Sequence, residues 1–189
     1  MYLQRLEKLR EIMKKNSLKQ ILVTDTPSIF YLTGRWIEAG ERLLVLLVKE
    51  MGKPVLFINE LFPEKGSDDL RFVWTTDTTD SIGMLAEYID ADEVLGIDKN
   101  WPSGFLIKLM GTLKTANFVN SSLLLDKIRA QKDEEEIEFM RAASKLNDDA
   151  MMMLVDSINE DMTEKEMEDA LKVIYDNLGA DGFSFEPII

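Results

Sequence analysis

The sequence predicts an α/β protein in which a mixed β-sheet is flanked by helices. Short apolar runs of strand length alternate, along the first two thirds of the chain, with stretches whose apolar residues recur at helical spacing. Of the 189 residues, 46% are hydrophobic and 30% are charged, a composition that is typical of a globular chain and excludes a disordered one. No apolar run reaches the ~18 residues that a membrane helix needs.

The order of the elements follows from these runs and from the capping and turn residues between them. Asp25-Thr26-Pro27 is a helix-start signal, because a capping side chain precedes a proline, and Thr33-Gly34 ends that helix. Two apolar runs near residue 50 are joined by a loop of hairpin length. Helices are therefore predicted over residues 2–16, 28–32, 81–89 and 102–110, and strands over residues 20–24, 43–48, 54–59, 72–75, 94–97 and 116–119.

The last third of the sequence predicts two long helices and the start of a strand. Asp133 with Glu136, and Thr163 with Glu166, have the spacing of capping boxes. The first helix is expected to reach about residue 158 and the second to end at Gly179. Residues 183–189 are interpreted as a first strand. Two such helices cannot build a core alone, so we expect their apolar stripes to pack on residues 1–126 or on another copy of the chain; the stripes are Ile137, Met140, Leu146, Met153, Met167, Leu171 and Ile174.

Composition and charge exclude several classes of function. The chain has no cysteine and no histidine, which excludes thiolate nucleophiles, histidine-dependent triads and imidazole metal sites. The net charge of −13 argues against nucleic acid and anionic membranes as partners. Residues 1–126 carry 15 basic and 18 acidic residues, and residues 127–189 carry 7 and 17, so we expect a domain boundary near residue 127. The N-terminus lacks a secretory signal, and a cytoplasmic protein is expected.

Several segments, taken in order, resemble the creatinase/prolidase family. Ser28-Ile29-Phe30-Tyr31-Leu32-Thr33-Gly34 and the strand pair that follows are similar to its N-terminal domain, here residues 1–126. Arg129-Ala130-Gln131-Lys132-Asp133-Glu134-Glu135-Glu136-Ile137 and the segments at 162–166 and 182–189 are similar to the opening of its "pita-bread" metallopeptidase domain, here residues 127–189. The family usually has Ser-Pro where this chain has Asp133-Glu134, and both pairs suit a helix start.

The resemblance implies an Xaa-Pro dipeptidase or aminopeptidase, which hydrolyses the peptide bond before proline. In the family two divalent metals, usually manganese, cobalt or zinc, share a hydroxide and are held by two aspartates, one histidine and two glutamates. All five ligands follow the segment that ends here at residue 189. No catalytic or metal-binding residue is therefore assigned, and this chain alone is expected to be inactive. The resemblance also implies a homodimer and proline-containing peptides as substrates of the parent enzyme.

The segment between Gly34 and the first strand of the predicted pair contains the candidate functional residues. Arg35, Trp36, Glu38 and Arg42 combine an indole with charges of both signs. In dimers of the family this loop reaches the mouth of the partner's active site, so the functional hypothesis is substrate gating. The alternative is an ordinary surface loop with one packing tryptophan.

Two other functions stay open at this point. A hydrolase of the same family could act on another substrate, such as creatine, because the residues that select substrate lie beyond residue 189. Alternatively, the chain could belong to a non-catalytic, peptidase-like binding module, whose acidic surface would suit basic protein partners.

Overall fold

The computed structural model describes residues 2–114 and 116–188, which form two compact units divided between Gln131 and Lys132. None of the helices in the described ranges is long and apolar enough to cross a membrane. In the first unit the helices are α1 (Leu3–Lys15), α2 (Thr26–Thr33), α3 (Ser81–Ala86), α4 (Ser103–Thr112) and α5 (Ser122–Ala130). Its strands are β1 (Gln20–Val23), β2 (Val45–Lys49), β3 (Val55–Asn59), β4 (Arg71–Thr75), β5 (Leu95–Ile97) and β6 (Phe118–Asn120).

The six strands form one mixed sheet in the order β4-β3-β2-β1-β5-β6. Strand β2 is antiparallel to both of its neighbours, with Ile21 opposite Val48 and Leu46 opposite Leu56. The pairs β1–β5, β5–β6 and β3–β4 are parallel. Five strands therefore run in one direction and β2 runs against them, which confirms the mixed sheet predicted from the sequence.

Helices cover both faces of this sheet, and this explains why its central strands are apolar at consecutive positions rather than at alternate ones. Ile21 and Val23 of β1 join the core beneath α1, α2 and α5, whereas Leu22 between them joins the core beneath α3 and α4. Strands β2 and β3 divide their side chains in the same way. The unit is thus a three-layer α/β/α structure whose two cores meet along the central strands.

Most predicted elements are confirmed to within two residues, and local chemistry explains their ends. The Asp25 carboxylate accepts the Ser28 amide at the start of α2, and Gly34 ends that helix at φ +74°. The helix predicted to reach residue 89 ends as α3 at Ala86, because the amides of Tyr88 and Ile89 make tighter three-residue turns.

Helix α5 was not predicted, and it moves the end of the first unit past the domain boundary that was expected near residue 127. The charge difference placed the boundary near residue 127, inside what the structure shows to be one helix. Leu124, Leu125 and Ile128 of α5 are buried in the same core as α1. The compact unit therefore continues to Gln131, five residues past the expected end at 126.

The second unit contains α6 (Glu134–Ser157) and α7 (Glu164–Asn177), and both begin with the predicted capping boxes. Ala150 and Leu154 of α6 and Leu171 and Ile174 of α7 form its buried cluster. Leu171 and Ile174 therefore pack against α6, whereas they were expected to pack on residues 1–126 or on another copy of the chain. That packing stays a prediction for Ile137, Met140, Leu146, Met153 and Met167.

The prediction of a strand over residues 183–189 is wrong for the part of the segment that the structure describes. Residues 183–188 form no β-pairing within the described chain, and residue 189 lies outside the described residues. A strand needs a neighbour to satisfy its backbone amides and carbonyls, and the described residues of the second unit contain no other strand.

Candidate functional site

The carboxyl ends of β1, β3, β4, β5 and β6 meet at one edge of the sheet, because these five strands share a direction. From β1 the chain adds β2, β3 and β4 on one side of β1. It then crosses over and adds β5 and β6 on the other side of β1. The order of strands therefore reverses between β1 and β5. In open α/β sheets, ligands bind outside the carboxyl ends of strands at such a switch point.

Asp98, at the end of β5, links the two strands of the switch point. Its carboxylate accepts the amides of Thr24 and Asp25, the latter at 2.9 Å, and the hydroxyl of Thr24. These side-chain hydrogen bonds connect β1 and β5 in addition to the backbone hydrogen bonds between the two strands. They also hold the loop after β1 next to the loop after β5.

Asp25 connects this junction to two helices. Its carboxylate accepts the backbone amide of Ser28 at 3.2 Å and its hydroxyl at 2.9 Å, and it accepts the side-chain amide of Asn100 at 3.1 Å. Arg129 of α5 lies 3.6 Å away as an ion-pair partner. A cavity of about 250 Å³ adjoins these groups.

A second cavity, of about 330 Å³, also borders Asp25, and we call it the switch-point cavity. It is lined by the ends of β1 and β5, by part of the segment 35–42 and by the start of α4. Trp101 and Phe105 stack on one wall with ring centroids 6.0 Å apart. The indole Nε1 of Trp101 is buried and donates to no acceptor among the described residues. Such donors are rare in folded proteins.

The segment 35–42 lies between α2 and β2, and its two arginines are held by contacts within the first unit. The Arg35 guanidinium bonds Glu64 at 2.5 Å and the carbonyl of Lys65 at 3.2 Å. Arg42 donates to both carboxylate oxygens of Asp77, from Nε at 2.8 Å and from Nη2 at 3.0 Å. Both arginines therefore fix the position of the segment.

The Arg42–Asp77 pair also shifts the protonation of its members. Hydrogen bonds from Arg42 lower the pKa of Asp77 below its ordinary value, and the side-chain amide of Asn59 adds to the effect at 3.0 Å. The same contact raises the pKa of Arg42. Asp77 is therefore ionised at neutral pH, and the bidentate pair persists.

Trp36 and Glu38 occupy the outer part of the segment. The indole of Trp36 is 56% exposed, lies edge-on to Phe30 at 5.7 Å and donates to the Glu38 carboxylate at 3.1 Å. Glu38 and Arg42 both line the switch-point cavity. The structure thus brings together three of the four predicted residues, whereas Arg35 is bound to Glu64 instead.

Sequence reasoning missed Asp25, Asp98 and Trp101 as members of a site. The sequence does contain a pattern that indicates such a site, since an aspartate follows each of the two central parallel strands within two residues. The sequence did not reveal that these two strands are neighbours, because β1 and β5 are separated by more than 70 residues.

The described residues do not contain a metal centre that fits the family's dinuclear site. No three carboxylates come together in residues 2–114 or 116–188 in a way that could hold a metal ion. No chemical step through a metal is derived from these residues.

The comparisons with known proteins agree with this architecture. Residues 5–131 match the creatinase/prolidase N-terminal domain, and residues 138–189 match metallopeptidase family M24. The chain belongs to the creatinase/prolidase family.

Individual relatives show how much of such a protein the chain covers. An Xaa-Pro dipeptidase from Pyrococcus horikoshii is 23% identical over 186 residues, which is 98% of this chain and 51% of that protein. A recombinant prolidase from Thermococcus sibiricus superimposes with a TM-score of 0.87 at 24% identity, over all of this chain and 53% of that one. The creatinase/prolidase N-terminal domain of an X-Pro dipeptidase from Streptococcus pyogenes superimposes with a TM-score of 0.59 at 19% identity and covers 66% of this chain. The chain thus spans about half the length of the curated relatives that it matches.

Proposed function

We propose that this chain is the N-terminal portion of an Xaa-Pro dipeptidase or aminopeptidase, an enzyme that cleaves the peptide bond preceding proline. The observation that carries the proposal is the order of the two family matches along one chain, with the N-terminal domain at 5–131 followed by the M24 match at 138–189. The relative from Pyrococcus horikoshii, which is named an Xaa-Pro dipeptidase, matches across both segments.

The chemistry of the proposed enzyme requires two divalent metals, manganese, cobalt or zinc, which would activate water and stabilise the developing oxyanion. The described residues supply no cluster that could hold them. We therefore propose that the ligands belong to the remainder of the catalytic domain and that the 189-residue chain alone is inactive.

The experiment that tests this function compares two lengths of the protein. The chain joined to the remainder of its metallopeptidase domain is expected to release proline from glycyl-proline in the presence of Mn²⁺, and the 189-residue chain is not. Proline release by the 189-residue chain would contradict its proposed inactivity. A longer protein that binds no metal and releases no proline would favour the non-catalytic binding module, and creatine hydrolysis by it would favour the other substrate class.

The first unit is proposed to control access to the active site in a cytoplasmic homodimer. The contacts of the segment 35–42 suggest different roles for its four candidate residues. Arg35 and Arg42 are bound to Glu64 and Asp77, so we assign them the task of positioning the segment. Trp36 and Glu38 lie at its outer side and are the groups proposed to meet substrate.

Substitutions in the longer enzyme test this gating role. Trp36→Ala is expected to raise KM for Xaa-Pro peptides about fivefold with a smaller effect on kcat, because one contact of roughly 1 kcal/mol is lost. Arg42→Ala is expected to raise KM as well by releasing the segment from Asp77. Leu61→Ala is the control, since Leu61 is also a large exposed apolar residue (63% exposed) and lies outside the segment. Unchanged KM and kcat in both variants would leave an ordinary surface loop as the better interpretation.

A further inference from the structure

We propose that the switch-point cavity binds a small zwitterion of amino-acid size, a function separate from peptide hydrolysis. The proposed site lies in the first unit and shares Glu38 and Arg42 with the segment proposed to gate substrate. The cavity lies outside the carboxyl ends of β1 and β5, where the order of strands reverses and where open α/β sheets bind their ligands.

The cavity carries negative charge that its own surroundings do not neutralise. The Glu38 carboxylate accepts the neutral indole N–H of Trp36, and no cation pairs with it among the described residues. Asp25 lines the same cavity, with Arg129 as its ion-pair partner. Glu38 is therefore the carboxylate available to a ligand ammonium group.

The same cavity also offers hydrogen-bond donors suited to a carboxylate. Arg42 uses Nε and Nη2 for Asp77, which leaves its Nη1 group without an acceptor among the described residues. Helix α4 begins beside Trp101 with Pro102 at its N-cap, and no side chain caps its first amides. A guanidinium and an open helix N-terminus both favour an anionic group.

The apolar wall and the size of the cavity restrict the ligand further. Trp101 and Phe105, whose rings are stacked, contribute apolar surface to the lining of the cavity. The volume of about 330 Å³ is near the lower end for small-molecule sites. One ammonium group, one carboxylate and a short apolar side chain satisfy all three features, so an amino acid such as leucine is the ligand class.

Nuclear magnetic resonance of the intact 189-residue chain tests the proposal. The chain has three tryptophans, so its ¹⁵N spectrum contains three indole signals, and the Trp101→Phe variant assigns that of Trp101. L-Leucine is expected to shift the Trp101 indole signal saturably. The analogues 4-methylpentanoate, which lacks the ammonium group, and 3-methylbutylamine, which lacks the carboxylate, are each expected to bind about tenfold more weakly.

Variants separate this site from binding elsewhere. Glu38→Gln is expected to weaken leucine binding about fivefold. Glu41→Gln, the same chemical change in an exposed neighbouring residue that does not line the cavity, is expected to leave it unchanged. The proposal is overturned if either singly charged analogue binds as tightly as leucine, if Glu38→Gln has no effect, or if the Trp101 signal does not move up to about 10 mM leucine. The readout is leucine binding by the 189-residue chain and not peptide hydrolysis, so a negative result overturns this site and leaves the proposed peptidase function of the longer protein untouched.

Discussion

Gly96 shows how a single residue positions the two strands of the switch point. It pairs with Ile21 in the parallel ladder between β5 and β1. A Cβ at this position would lie 2.7 Å from Cγ2 of Ile21 and 2.8 Å from Cβ of Ser121, distances that side chains do not adopt. Only glycine allows the carboxyl ends of β1 and β5, and the start of α5, to approach this closely.

Substitution of Gly96 tests this close approach. Gly96→Ala is expected to lower the free energy of unfolding by about 1–3 kcal/mol, because the added methyl group forces strand or helix to move. The measurement is urea unfolding followed by tryptophan fluorescence.

Gly111→Ala is the matched control for that substitution. Gly111 lies in α4, and apart from its chain neighbours and the backbone of its own helix no atom lies within 4 Å of the position of its Cβ. Its replacement is therefore expected to be neutral or stabilising by up to about 1 kcal/mol. Equal effects of the two substitutions would show that β1, β5 and α5 do not need the close contact.

At the scale of the element, the start of α7 depends on an ionised side chain. The Glu166 carboxylate accepts the backbone amide and the hydroxyl of Thr163, both at 2.8 Å, and the Thr163 hydroxyl accepts the Glu166 amide. The backbone hydrogen bond from Thr163 is the main cause that lowers the pKa of Glu166 below its ordinary value. Proton binding therefore opposes this arrangement.

The pH dependence of α7 follows from the direction of that shift. Because the pKa of Glu166 is lower in the folded state, its stabilising contribution is complete above the ordinary glutamate value of about 4.3 and is lost as the pH falls through the lowered value. The stability advantage of the wild type over Glu166→Gln is therefore expected to shrink below about pH 4.3. Thermal unfolding followed by circular dichroism from neutral to acid pH measures it.

Glu164→Gln provides the control for α7. Glu164 also lies in the first turn of the helix and is also exposed, but it belongs to no capping box. Its replacement is expected to give a smaller pH-dependent difference from the wild type. The explanation would be wrong if both variants differed from the wild type equally at every pH.

At the scale of the whole molecule, the chain consists of two units that differ greatly in their cores. The first has an apolar core on each face of a six-stranded sheet, whereas the second has a cluster of four buried residues between two helices. A core that small provides little stability for a separate domain. We therefore expect the first unit to account for most of the cooperative unfolding of the chain.

Truncation tests where the first unit ends. A chain that stops after Gln131 is expected to keep the urea midpoint of the intact chain. A chain that stops after residue 126 divides α5 and removes Ile128, which is 5% exposed, so it is expected to lose about 2–5 kcal/mol. Equal midpoints for the two truncated chains would support the boundary expected from the charge distribution.

The elements that could be predicted from the sequence are those whose determinants are close together in the chain. The capping boxes at Asp133 and Thr163 each depend on two side chains three residues apart, and both are present in the structure. The strand near residue 20 was recognisable because burial on both faces requires a continuous apolar run. Helix α5 was not predicted, because it is only nine residues long and crosses the change in charge near residue 127.

The sequence by itself determined the identity and order of most helices and strands, the family, and the segment that contains the four candidate residues, because these depend on local propensity, periodicity and ordered motifs. Helix α5 and the end of the described chain are the exceptions. Only the tertiary structure decided that Arg42 bonds Asp77 while Arg35 bonds Glu64, and that Asp98 joins Thr24 across more than 70 residues. Pairing between distant strands sets these contacts. Each strand has several apolar candidates of similar length, and sequence spacing does not distinguish one neighbour from another.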